Sequence, residues 1–258
     1  MLNFKSVNII AGLTIMILLI GYSVYNVSLW LVFMVFIIWL FLTVSGSAFI
    51  GWNYHLKSLN SNPKTPHNHV AITFDDGPNP EFTPKVLSLL KTHHAKATFF
   101  CIGKHIELFP DIFKSIIENG HTVGNHTYSH DHAFGFFSTE KVISELQQTN
   151  AIIKQQTGLG IKLYRPAFGV TNPSIKRALK VTKLQSIGWS KRSLDTTNLS
   201  EKKILKRITK NLKRGDVILL HDTSEKTVIV LEQLLLFLQK QNMESVTIDT
   251  LFNMKAYA

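Results

Sequence analysis

Residues 6–56 contain no Asp, Glu, Lys or Arg, whereas beyond residue 68 short apolar runs alternate with amphipathic stretches of helical period. At ~1.5 Å rise per residue, the uncharged stretch is long enough for two bilayer crossings of roughly 20 residues each. Gly21-Tyr22-Ser23-Val24-Tyr25-Asn26 interrupts it with small and polar residues, which predicts helices near residues 7–24 and 29–50. Ser45-Gly46-Ser47-Ala48 offers small residues of the kind a signal peptidase accepts. An apolar stretch of ~40 residues nevertheless far exceeds the roughly 7 to 15 of a signal-peptide core. Residues 1–56 are therefore expected to form a two-pass transmembrane hairpin. Trp30, Trp39, Trp52 and Tyr54 include rings near the expected helix ends, where amphipathic aromatics favour the headgroup layer.

Asn, Ser, Pro and Lys dominate residues 59–68, so 57–68 reads as a linker and 69–258 as a folded domain. In that domain strand-like segments at 70–74, 97–102, 122–124, 162–164, 184–189, 217–220 and 246–248 alternate with helix-like ones. The helices are expected at 84–92, 110–119, 139–156 (capped by Ser138 and ended by Gly158), after Asn172-Pro173, after Ser200, and at 227–241. Such alternation argues for an α/β fold on parallel strands. Asp75, Asp76, His126, Arg165, Asp195 and His221 all follow closely after strand-like segments. A (β/α) barrel collects its chemistry at the C-terminal strand ends, and an open doubly wound sheet does so too.

Charge narrows the partners. The net charge of +11 lies almost wholly after residue 56, which favours anionic lipid headgroups or anionic glycans. Lys and Arg are scattered without a nucleic-acid motif or an aromatic ladder, so no nucleic-acid partner is expected. The densest run, residues 202–214, reads as the solvated face of an amphipathic helix. Lys5, Lys57 and Lys64 flank the hairpin, and the positive-inside rule would put that side in the cytoplasm. Wall polymers lie on the other side, so the face of the membrane stays open. Cys101 is the only cysteine; no disulfide within the chain is possible, and its apolar surroundings predict a packed, inert thiol.

The sharpest chemical signal is Asp75-Asp76, about fifty residues ahead of His126 and His130. Neighbouring residues leaving a strand point different ways, so one carboxylate can bind a metal while the other handles protons. A spacing of four would put both imidazoles on one side of a helical turn. Two His and one carboxylate leave a tetrahedral position open, as hydrolytic zinc requires.

Five segments in order make residues 69–252 resemble the polysaccharide deacetylase family, also called the NodB homology domain or carbohydrate esterase family 4. They are Thr73-Phe74-Asp75-Asp76-Gly77, His126-Thr127-Tyr128-Ser129-His130, Arg165-Pro166-Ala167-Phe168-Gly169, Trp189 to Thr196, and Leu219-Leu220-His221. The resemblance implies a distorted TIM-like (β/α) barrel behind the two-helix anchor. It implies Asp75 as general base, Asp76, His126 and His130 as metal ligands, and Arg165 as the partner of Asp75. It further implies the Phe168 N–H as an oxyanion donor, Trp189 and Leu219 as the acyl pocket, and His221 as general acid supported by Asp195. Ala167 stands where the family usually has a second proline, and the fourth segment lacks the further aspartates and closing tryptophan of many members.

The expected reaction is metal-dependent removal of acetyl from N-acetylglucosamine-type residues of a glycan. Zinc is the default ion, and Co2+, Ni2+ or Mn2+ would suit the same ligands. O-acetyl ester hydrolysis and deacylation of a lipid-linked sugar use the same machinery, and a non-catalytic glycan-binding membrane protein is the alternative from another class. The setting expected is a bacterial cell membrane, with carbohydrate and membrane lipid as partners; oligomeric state is not legible from the residues.

Overall fold

The computed structural model describes residues 3–258. Two antiparallel helices come first, α1 (Phe4–Tyr25) and α2 (Trp30–Ala48). Asn3 caps α1 by accepting from the Ser6 N–H, and left-handed Asn26 ends it. The helices face each other through Val7, Ala11, Val35 and Leu42, and Trp39 Nε1 donates to Asn8 Oδ1 at 2.7 Å. Their remaining apolar side chains point outward, Ile17 and Phe41 being about two-thirds exposed. Each helix is long and apolar enough to cross a bilayer. Hydrocarbon would satisfy this outward surface and water would not.

The rest of the chain runs β1 (His69–Asp75), α3 (Phe82–Thr92), β2 (Ala97–Cys101), α4 (Gly103–Leu108), α5 (Pro110–Glu118), β3 (Thr122–Asn125), α6 (Thr139–Thr157), β4 (Leu163–Tyr164) and α7 (Pro173–Thr182). It continues through β5 (Gln185–Ser186), β6 (Lys191–Arg192), α8 (Glu201–Thr209), β7 (Val217–His221), α9 (Glu225–Lys240), β8 (Glu244–Ser245) and α10 (Ile248–Phe252). The sheet order is β5-β4-β3-β2-β1-β7-β6, with β8 paired to the start of β1. Every ladder is parallel, and the sheet curls into a half-barrel. This is the distorted barrel expected from the resemblance.

Strand β1 is buried from Val70 to Asp75 because it is apolar almost without a break, as a strand covered on both faces must be. Phe74 stacks on Phe99 at 4.9 Å on one side, while Ala71 and Phe100 belong to a second apolar cluster on the other. Fully burying a side chain the size of Phe74 is worth about 1.5–3 kcal/mol. Thr73 is the polar exception, and its hydroxyl donates to the Ile218 carbonyl at 2.7 Å. Local signals set the helix ends: Ser138 accepts from the Lys141 N–H, Gly158 is left-handed, and Asn172 accepts from the Ile175 N–H ahead of Pro173.

Two expectations are corrected here. The segment 57–68 is not a loose linker: Leu59 bridges to Ile187 beyond β5, and Ser61 bridges to Asp216 ahead of β7. Unsatisfied backbone beside those strands supplies its partners, so a polar, Pro-containing stretch is pinned like a strand. The last strand lies at Glu244–Ser245 rather than 246–248, and Ile248 instead opens α10 after extended Thr247.

The helical hairpin is docked on this half-barrel. Phe4 N–H donates to the Tyr54 carbonyl at 3.0 Å, Ser47 Oγ meets His55 Nε2 at 2.9 Å, and Thr171 N–H donates to the Ser47 carbonyl at 3.0 Å. Gly46 is required at this junction, since a Cβ there would run into the Tyr54 ring. Thr171 lies two residues past the Arg165–Gly169 loop, so the N-terminal helices hold the chain just beyond that loop.

Candidate active site

Parallel register does much of the positioning. Asp75, at the end of β1, lies opposite Phe100 on one side and His221, the end of β7, on the other. Asp75 is buried in extended strand, while Asp76 adopts a left-handed backbone with φ 74°. Aspartate tolerates that region better than most residues, and the switch turns the two carboxylates apart.

His126 follows β3 and is almost fully buried. Its Nδ1 lies 2.9 Å from the Arg165 carbonyl, an acceptor that fixes the proton on Nδ1 and leaves the Nε2 lone pair free. Nε2 of His126 and Nε2 of His130 each lie 3.3 Å from Asp76 Oδ1. The expected helical turn is absent: residues 126–130 form a bent loop in which Thr127 and His130 are left-handed. Glu145 on α6 shapes it by accepting from the Tyr128 and Ser129 N–H groups and from the Ser129 hydroxyl. Asn125 Oδ1 accepts from the Thr127 N–H.

Two imidazole nitrogens and a carboxylate oxygen within 4.8 Å of one another are a donor set that fits a divalent first-row ion. Burial would raise the Asp76 carboxyl, but the hydrogen bond and charge of His126, with His130 and His221 nearby, hold it well below the usual range. Burial and then the His126 charge push His130 down to about 4, so its imidazole is neutral, the form that binds metal.

Arg165 is fully buried behind Asp75. Nη1 donates to Asp75 Oδ1 at 2.8 Å and to Thr73 Oγ1 at 2.6 Å, Nη2 to the Gly188 carbonyl at 2.9 Å, and Nε to the Ile187 carbonyl at 3.3 Å. The guanidinium also lies 4.2 Å over the Phe100 ring centroid. Satisfying the donors in this way is what makes a buried charge tolerable.

On the other wall His221 Nδ1 lies 2.7 Å from Asp195 Oδ1, and the His221 N–H donates to Asp195 Oδ2 at 2.8 Å. Ser193 and Thr227 hydroxyls donate to the same carboxylate. Burial alone would lower the His221 pKa, but the Asp195 bond and charge outweigh it and raise the value to about 9. An imidazole so placed is cationic at neutral pH.

Phe168 has φ 57°, with its ring beside His130 at 4.4 Å and against His132 at 5.7 Å. Trp189 packs against Gly169, where any Cβ would meet the indole. Asp75, Asp76, His126, His130, Phe168, Trp189, Leu219 and His221 line one cavity of about 260 Å³, together with Arg192, Leu194, Thr196 and Thr197. Arg165 and Asp195 stand behind it, so all ten expected residues converge. Glu145, Ser193, Thr227 and Asp222 escaped the sequence reading. Asp222 is buried under Gly77, accepts from the Thr83 hydroxyl, and is pushed up to about 7 by burial. Ser193 lies two residues before the Asp195 it holds, whereas Glu145, Thr227 and Asp222 act through neighbours 16 or more residues away, which no spacing rule marks.

Known proteins share this plan. A family model described as polysaccharide deacetylase matches residues 62–187. A peptidoglycan-N-acetylglucosamine deacetylase of Bacillus cereus is 35% identical over 199 residues, covering 74% of this chain and 92% of the relative. The peptidoglycan-N-acetylmuramic acid deacetylase PdaC of Bacillus subtilis is 28% identical, covering 72% of this chain and 39% of its own. The crystal structure of the Bc1960 peptidoglycan N-acetylglucosamine deacetylase, in complex with a hydroxamate, superposes with a TM-score of 0.72 at 33% identity. It covers 77% of this chain and 94% of that one. The chain belongs to the polysaccharide deacetylase family, metal-dependent hydrolases acting on carbon–nitrogen bonds other than peptide bonds.

Proposed function

We propose that this enzyme removes the acetyl group from the nitrogen of N-acetylglucosamine residues in peptidoglycan, working from a two-pass membrane anchor. The observation that carries this reading is the β1–β7 register: it sets Asp75 beside His221 in the cavity that also holds the Asp76, His126 and His130 cluster. The glycan comes from the relatives, whose names specify peptidoglycan. The anchor reading rests on two outward-apolar helices docked to the domain, and the catalytic unit then runs from about residue 57 because that segment pairs with the sheet.

Asp76, His126 and His130 would hold the metal, zinc by default. When bound, the ion supplies Lewis acidity toward water and toward the amide carbonyl oxygen. Asp75, held by Arg165, takes the proton as water adds to the carbonyl carbon. The Phe168 N–H donates to the oxygen on which negative charge develops. Trp189 and Leu219 enclose the acyl methyl and exclude larger groups. The carbon–nitrogen bond then breaks as the His221 imidazolium gives its Nε2 proton to the departing amine, leaving acetate and a glucosamine residue.

Purified enzyme in detergent, loaded with zinc, should release acetate from peptidoglycan fragments or N-acetylglucosamine oligomers, with a new free amine on each product. Release of acetate from O-acetylated glycan only would overturn the amide assignment.

A further inference from the structure

A second cavity, of about 590 Å³, lies where the helical hairpin meets α7 and β5 of the half-barrel, and it shares no lining residue with the catalytic cavity. Four lysines line it: Lys5 from the first turn of α1, Lys57 from the segment below α2, and Lys176 and Lys180 one turn apart on α7. No Asp or Glu lines it. None of the four lysines has an ion-pair partner among the described residues. Asn3, Asn53, Gln185 and Ser186 add neutral hydrogen-bonding groups. Burial first, and then the Lys176 charge, lower His55 to about 4, so the histidine in the wall is neutral and the lysines alone set the charge.

Place matters as much as charge. The start of α1 lines this cavity through Asn3 and Lys5, the segment that follows α2 lines it through Asn53 to Lys57, and α1 at 22 residues matches a hydrocarbon thickness of ~30 Å. A cavity at the foot of such helices lies in the headgroup layer. Four exposed lysines with no carboxylate among them make a patch of positive potential, and the anion available at that depth is a lipid phosphate.

We propose that this cavity binds the phosphate headgroup of an anionic glycerophospholipid, which cross-links Lys5 of the anchor and Lys57 of the segment below it to Lys176 and Lys180 on α7. The site lies outside the catalytic cavity and rests on residues 4–48 crossing the bilayer, not on the identity of the glycan. Bound lipid fixes the domain against the membrane surface, because α7 directly follows the Arg165–Thr171 segment that the hairpin also contacts.

The test uses the full chain in a neutral detergent, with bound lipid counted by native mass spectrometry. Phosphatidylglycerol should bind saturably at one molecule per chain, and phosphatidylcholine should not compete. Lys176→Gln with Lys180→Gln should weaken binding about tenfold or more, as should Lys5→Gln with Lys57→Gln. Lys202→Gln with Lys203→Gln on α8 should leave it unchanged. Acetate release in detergent stays at the parental rate in all three, which reports that each variant is folded. Equal binding of the two lipids, or full binding by both junction variants, overturns the proposal. Displacement of phosphatidylglycerol by equimolar inorganic phosphate overturns the lipid assignment in favour of a free-anion site. Flotation with vesicles after alkaline carbonate washing reads the anchor separately: a chain that does not float refutes the membrane reading whatever it binds.

Discussion

Asp195 grips His221 at two points, Oδ1 lying 2.7 Å from the imidazole Nδ1 and Oδ2 accepting the N–H of the same residue at 2.8 Å. One carboxylate thereby sets the orientation, tautomer and charge of the ring. The folded-state pKa of about 9 lies above the 6.5 of a free histidine. The stabilisation this reflects is complete below 6.5 and is lost as pH rises through 9. The proton-donating form persists over the same range. In Asp195→Asn the alkaline limb of the rate profile should therefore move down toward neutrality, with turnover falling about 10²–10⁴-fold. A bound cation lowers the pKa in both proteins, so the difference between the two profiles is the quantity to measure.

Arg165 is a fully buried charge whose Nε, Nη1 and Nη2 all donate to acceptors in the protein interior. Arg165→Met would strand the buried Asp75 carboxylate and should destabilise the fold by about 3–5 kcal/mol, seen as a lower Tm in detergent. Arg165→Lys should also lose stability, since an ammonium cannot reach Thr73, Asp75, Ile187 and Gly188 from one fork. An unchanged Tm for both variants would contradict the account of this pair.

Metal stoichiometry checks the donor set. Asp76→Ala and His126→Ala should each lose the ion on dialysis, and added zinc should raise the Tm of the parent but not of either variant. Retention of one equivalent in elemental analysis of either variant would refute the ligand assignment.

The hairpin should behave as part of the domain. Gly46→Ala drives a Cβ into the Tyr54 ring and should cost about 1–3 kcal/mol, whereas Gly12→Ala, with open space around it, should be neutral or stabilising. Parallel Tm measurements in one detergent compare them, and equal values would show that the docking contributes nothing.

The parts of the site legible in the sequence are those set by short-range rules. Asp75 and His221 terminate apolar strands, and the parallel register then brings them together without any further information. The His126–His130 spacing correctly implied a pair but gave the wrong backbone. The loop shape depends on Glu145, fifteen residues past His130, accepting two N–H groups that a helix would have used internally. Polar residues 57–68 looked like a linker because composition does not record which strands lack a neighbour. Thr227 was invisible for a similar reason: a hydroxyl 32 residues past the Asp195 it holds carries no signature until the fold places it.

Asp75→Asn is the variant that tests the central claim most directly. It preserves the shape beside Arg165 and leaves Asp76, His126 and His130 in place, so metal content should remain at one equivalent. Acetate release from N-acetylglucosamine oligomers should fall about 10²–10⁴-fold with KM little changed. Metal-loaded Asp75→Asn that releases acetate at the parental rate would contradict it.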